Sequence, residues 1–201
     1  MKGRKIMTKR LGFTLAEVLI TLGIIGVVAA MTIPTLMNQT GQAEFRTGFK
    51  KAVSTLNQAI TMNVALDNSD FSALTTGTTA GSATIFNMFK TRMNVINTAV
   101  GAVTTLGTVF NTGAGSNYTL YFSDGMAMTF PQAATGCTTN VGAGAANCRM
   151  VVDVNGTKKP NRLSEATAGN TTAGIFDQFV LDFFNQQVLP HDDRAKYILY
   201  N

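Results

Sequence analysis

The chain has 201 residues, 45% of them hydrophobic and 13% charged, enough apolar material for a packed core in one domain or a domain with an appendage, which excludes disorder throughout. Its 16 basic residues outnumber 11 acidic ones, but Lys2, Arg4, Lys5, Lys9 and Arg10 carry that whole excess within the first twelve residues. The body is neutral and has no evident nucleic-acid patch, so the basic isoelectric point is no sign of a nucleic-acid partner.

After MKGRKIMTKRLG, the segment Phe13 to Met37 carries a single charge, Glu17. As a helix, Phe13 to Leu36 reaches about 36 Å, enough to cross a hydrocarbon core of about 30 Å. Cations before the span and none within it place residues 1–12 in the cytoplasm and everything after the span outside.

Three processing outcomes compete. The segment stays as an uncleaved signal anchor. Alternatively, it is a secretory signal peptide cut at Val28-Ala29-Ala30, releasing a product that starts at Met31. The signal-peptide reading leaves Glu17 unexplained, because a carboxylate in an apolar helix costs about 2.5 to 3.5 kcal/mol at the bilayer centre and so points to function. The bland alternative is a glutamate snorkelling to the headgroups.

The third outcome keeps the apolar run. Lys9-Arg10-Leu11-Gly12 followed by Phe13-Thr14-Leu15-Ala16-Glu17-Val18-Leu19-Ile20 resembles the class III signal of type IV pilins and type II secretion pseudopilins. The resemblance implies that a prepilin peptidase cuts after Gly12 on the cytoplasmic side and methylates the new N-terminal residue, Phe13. It further implies that Glu17 supports assembly into a helical filament, and that Gly23, Gly26 and Pro34 are places where the helix bends or loosens. It covers about 40 residues closely.

Elementary electrostatics agrees with that role. Cleavage before the span leaves a membrane-anchored product with Glu17 one helical turn from a new amine. When subunits stack by a repeating screw operation, an incoming amine meets a neighbour's carboxylate inside an apolar bundle, where pairing removes the cost of either charge alone.

Phe45, Phe49, Ala52, Val53, Leu56, Ala59, Ile60 and Asn63 continue at helical spacing as one apolar face. Two readings stand: one helix of about 50 residues, or a separate core helix broken from the first near Pro34 and Gly41. In both, the stripe is core packing.

Residues 67–82 read as a polar surface loop. Ile85, Phe86, Phe89, Met93 and Ile96 suggest a short helix capped by Ser82. Tyr118–Phe122 and Met126–Phe130 flank Ser123-Asp124-Gly125, a hairpin signal because Asp and Gly tolerate positive φ. Further strands are expected at Met150–Val154 and Phe179–Phe184. The predicted fold is α+β and pilin-like: a long N-terminal α-helix, membrane-spanning in its first half, packed on a small antiparallel sheet. The expected parts are leader 1–12, membrane and assembly half 13–37, amphipathic half 38–66 and extracytoplasmic domain 67–201.

Cys137 and Cys148 enclose a ten-residue loop on the oxidising side of the membrane, which favours a disulfide over a metal pair without CxxC spacing or a nearby His. Val152-Asp153-Val154-Asn155-Gly156 with Pro160 and Asn161 resembles a segment common in pseudopilin-like proteins, some of which bind calcium in a nearby loop. Asp153, Asn155 and Asp177 offer oxygen ligands, against a plain turn with Lys158 and Lys159 repelling a cation. No other cofactor is implied.

Catalysis finds no nucleophile motif, and the lone His191 beside Asp192 and Asp193 reads as a solvated surface group. The chain is therefore expected to be no enzyme. The leading expectation is a pilin or pseudopilin that polymerises through its N-terminal helix. Its partners would be copies of itself or other pilins, a prepilin peptidase, inner-membrane assembly machinery and the lipid bilayer. Its location would be the bacterial inner membrane, then a periplasmic or extracellular filament. The alternative is a tethered or secreted extracytoplasmic binding domain that forms no filament.

Overall fold

The computed structural model describes residues 12–75, 84–100, 117–131, 134, 136–138, 148–164 and 175–200. The chain forms two units, Met1–Thr40 and Gly41–Asn201. One helix, α1 (Leu15–Asp67), supplies residues to both, and Gly23, Gly26, Pro34 and Gly41 all lie within it.

In the first unit α1 is apolar on every side and buries almost nothing. Leu19, Ile24, Ile25, Val27 and Leu36 are all more than half exposed. The hydroxyls of Thr21 and Thr32 donate back to the carbonyls of Glu17 and Val28, each at 3.0 Å, so these polar side chains do not interrupt the apolar surface. The helix is long and apolar enough to cross a membrane, with mean hydropathy 2.2 over its most apolar window.

In the second unit the Gly41–Asp67 part of α1 is striped. Phe49, Ala52, Val53, Leu56, Ala59, Ile60 and Asn63 are buried, while Arg46, Lys50 and Ser54 are exposed. After α1 come a 3-10 turn (Phe71–Ala73), α2 (Ile85–Lys90), β1 (Val95–Val100), β2 (Asn117–Phe122) and β3 (Ala127–Pro131). β4 (Arg149–Asp153), β5 (Leu163–Ser164), β6 (Gln178–Phe184), β7 (Gln187–Pro190) and α3 (Asp193–Tyr200) complete the order.

Among the described residues the seven strands form one sheet, ordered β1-β2-β3-β4-β6-β5 with β7 paired to β6. All pairings are antiparallel except β5 with β6. The architecture is α+β: a long N-terminal helix followed by an antiparallel-dominated sheet, consistent with a pilin-like fold. Alternate residues Leu120, Met128, Met150, Val152, Phe179, Leu181 and Phe183 join the helix stripe in the core, and Phe49 meets Phe179 at 4.2 Å between ring centroids.

Two side chains of α1 extend the hydrogen bonding of its neighbours. Asn57 donates to the Val188 carbonyl at 3.1 Å and accepts from the Val188 amide at 2.9 Å, as a strand partner would. Asn63 donates to the Met88 carbonyl at 2.9 Å, which ties α1 to α2.

The hairpin forms where Asp-Gly predicts it, with Gly125 at φ 89° and the Met126 amide donating to Asp124. Gly156, at φ 72°, abuts that turn: a Cβ there would sit 2.5 Å from the Gly125 carbonyl oxygen, so only glycine fits.

Three expectations need correction. Residues 67–82 are not simply a surface loop, because Phe71 and Leu74 are core residues; Asp70 caps the turn and Phe71 packs on Phe183 at 5.0 Å. Residues 76–83, including the predicted cap Ser82, lie outside the described residues. The cap of α2 is Thr84, whose hydroxyl accepts from the Asn87 amide.

The helix also ends at Lys90, so Met93 and Ile96 are not part of it. β-branched Val95, Ile96 and Thr98 favour a strand there, paired on β2 with Ile96 67% exposed.

Candidate functional site

The N-terminal end of α1 is built by Gly12, Phe13, Thr14 and Glu17. Gly12 and Phe13 are non-helical and exposed, Phe13 at 88%, so the peptide bond between them lies outside the helix and open to solvent. Thr14 follows as the cap. Its hydroxyl accepts from the Glu17 amide at 3.3 Å, while its own amide and hydroxyl each donate to Glu17 Oε2 at 2.8 Å. This is a capping box, in which a hydroxyl and a carboxylate three residues apart satisfy each other's otherwise orphaned backbone donors.

Both bonds to the Glu17 side chain use Oε2, so Oε1 takes no part in the cap. A carboxylate held this way is pre-aimed along the helix terminus and can accept one further cationic donor. The positive end of the helix dipole favours the charge there.

Gly23 and Gly26 have no neighbour within 4 Å of a Cβ position, so nothing in the described residues requires glycine there. Pro34 brings no amide to the helix ladder, which leaves the Ala30 carbonyl without its usual donor. Lys9, Arg10 and Leu11 lie outside the described residues.

Cys137 and Cys148 form a disulfide, with Cα atoms 5.8 Å apart. The Cys137 amide donates to the Phe71 carbonyl at 3.1 Å and its carbonyl accepts from the Asn185 amide at 2.8 Å. The bridge therefore joins the start of β4 to the turns before α2 and after β6.

Of the three proposed oxygen donors, Asp153 and Asp177 are already engaged. Asp177 accepts from the backbone amides of Asn161 and Arg162 at 2.7 and 2.6 Å. Asp153 accepts from the Asn155 amide at 3.1 Å and from Gln178 Nε2 at 2.9 Å. Asn155 Oδ1 is buried without a partner among the described residues, which leaves one oxygen for an ion that takes six to eight.

No group of three or more His, Cys, Asp or Glu gathers among the described residues, and this donor set as arranged does not fit calcium. Burial raises the Asp153 pKa to about 6, helped by the nearby Asp177 charge and opposed by the Gln178 hydrogen bond.

His191 is not a plain solvated group. Its Nδ1 lies 2.8 Å from Asp182 Oδ2, and Arg149 Nε donates to the other oxygen of Asp182 at 3.2 Å. The network is structural, tying the residue after β7 across β6 to β4. Sequence reasoning missed it because Asp182, buried at 6% exposure, sits within the apolar run of β6. It also missed Thr14, although Thr-x-x-Glu at a helix start is a recognisable capping signature.

Residues 7–33 match the family model of the prokaryotic N-terminal methylation motif, the signature of type IV pilins and pseudopilins. The match begins in the basic N-terminal segment, includes Gly12, Phe13, Thr14 and Glu17, and ends at Ile33. The motif supports a type IV pilin-like precursor of the kind a prepilin peptidase processes, and the family that carries it is structural rather than enzymatic. The apolar helix fits membrane anchoring. No curated protein and no solved structure matches the chain.

Proposed function

We propose that the chain is a structural filament subunit, a pilin or pseudopilin. A prepilin peptidase cuts after Gly12 and methylates Phe13, the product is held in the inner membrane by α1, and it polymerises through that helix into a type IV pilus or a type II secretion pseudopilus. The reading is carried by one conjunction: the methylation motif coincides with residues 15–37 of α1, whose apolar surface is unburied and whose only charge is Glu17.

Such a surface needs lipid or other apolar helices around it, and assembly exchanges one for the other without exposing it to water. Glu17 keeps its cap through Oε2 and accepts the N-terminal amine of a neighbour through Oε1. Pairing inside the bundle cancels two charges that would each be costly alone.

The experiment compares sheared filaments with the inner-membrane pool for wild type and Glu17→Ala. The mutant should be processed and inserted normally, since losing the carboxylate makes the span more apolar, yet be depleted from filaments. Mutant incorporation at the wild-type level would remove the proposed role of Glu17. A wild-type chain absent from every filament would leave a tethered extracytoplasmic domain instead.

A further inference from the structure

We infer that the end of the Gly41–Asn201 unit where α1 enters it carries a cationic surface that docks on anionic phospholipid headgroups. The inference rests on the reading above, because it requires the apolar run to lie in a bilayer.

Beyond the leader, cations and acids are equal in number, so a one-signed surface can arise only by placement. Lys158, Lys159 and Arg162 are exposed on one loop that follows β4. Asn155 Nδ2 donates to the Lys159 carbonyl at 3.2 Å, and Asp177 holds the Arg162 amide, so the loop has a fixed course. The Phe176 ring then gathers two guanidinium groups, with Arg162 5.2 Å and Arg194 4.3 Å from its centroid.

The same segments lie against the first turns of α1 in this unit. A Cβ at Gly48 would stand 3.2 Å from Val154 Cβ, and one at Gly41 would stand 3.9 Å from Ile175 Cδ1, the neighbour of Phe176. Arg46 and Lys50 are exposed on those turns.

The acids of this region are mostly withdrawn. Asp153 and Asp177 are buried and engaged by amides. Among the described residues the exposed ones are Glu44, Asp193, which pairs with Lys196 at 3.4 Å, and Asp124, which pairs with Lys51 at 2.8 Å.

Chain connectivity selects the partner. Gly41 follows Met37, the last apolar residue of the run, by four residues, which is at most about 14 Å of chain. These cations are therefore tethered within reach of the headgroup layer, where several of them together are attracted to anionic lipid over a screening length of about 10 Å. The apolar helix would fix the depth of the subunit, and the cationic surface would add a salt-sensitive contact.

The test uses the full chain in nanodiscs, one chain per disc, made either of phosphatidylcholine alone or with phosphatidylglycerol added. Acetylation rates of Lys158, Lys159 and Lys90 are read by mass spectrometry. Lys90 serves as the internal control: it is exposed and follows Met88, whose carbonyl binds Asn63, about 30 Å along α1 from Gly41.

The inference predicts acetylation of Lys158 and Lys159 several-fold slower in the anionic discs, an effect lost at high salt, with Lys90 unchanged. A chain that inserts but reacts equally in both lipids overturns the inference alone, as does equal protection in both, which would mean that protein covers the surface. A chain that inserts in neither disc overturns the membrane reading and this inference with it.

Discussion

Thr14 and Glu17 hold each other at the start of α1, the threonine hydroxyl accepting from the glutamate amide while the glutamate carboxylate takes both polar hydrogens of the threonine. The group expected to recruit a neighbour's amine is thus also the clasp of its own helix. Thr14→Val should remove the clasp at a cost of about 1 kcal/mol. Amide exchange at residues 15 to 18 in detergent micelles should then quicken about five-fold. Unchanged exchange would show that the clasp contributes nothing to the helix end.

Asn57 does for β7 what a strand would do. Asn57→Ala leaves the amide and carbonyl of Val188 without that partner, and Val188 is fully buried. The expected loss is about 2 to 3 kcal/mol, read as a lower melting temperature, whereas exposed Gln58→Ala should leave it unchanged. Gly156→Ala should also destabilise, because its Cβ would collide with the Gly125 carbonyl. Equal melting temperatures for Asn57→Ala and wild type would contradict the bridging role.

Asp153 gives stability a pH dependence of definite sign. Its pKa is raised by burial to about 6, so the folded chain holds a proton that the unfolded chain has released. The stability contributed is full below the ordinary carboxylate range and is lost as pH rises through about 6. Asp153→Asn should therefore gain on wild type as pH goes from about 4.5 to about 7.5, measured as the difference in melting temperature. A pH-independent difference would refute the assignment. Calcium should leave the wild-type melting temperature unchanged, whereas a rise abolished by Asp153→Asn would show that the carboxylates exchange their amide partners for the ion.

Reduction of Cys137–Cys148 should destabilise the Gly41–Asn201 unit by about 3 kcal/mol on a chain-entropy argument. Filament contacts of α1 should be unaffected. Differential alkylation with and without reductant checks the bridge, and two freely alkylated thiols in unreduced envelope protein would contradict it.

What was legible in the sequence was what one strong periodicity or one turn dipeptide specifies: the apolar run, the stripe from Phe49 to Asn63, and the hairpin about Asp124-Gly125. What was not legible depended on partners distant in the chain. Val95-Ile96 followed Phe89 and Met93 at a spacing that also suits a helix, and pairing with β2 decided for a strand. Phe71 lies in a polar stretch and is core because Phe183 and Phe89 meet it. His191 looked solvated until β6 brought Asp182 to it.

At the N-terminal end, the proposed roles of Gly12, Phe13 and Glu17 rest on pattern, while the oxygen that Glu17 keeps outside its cap is a fact of geometry. The most direct measurement is the intact mass of this chain recovered from sheared filaments. The account predicts a chain that begins at Phe13 and carries one added methyl group. A chain beginning at Met31, or one retaining residues 1–12, would contradict it.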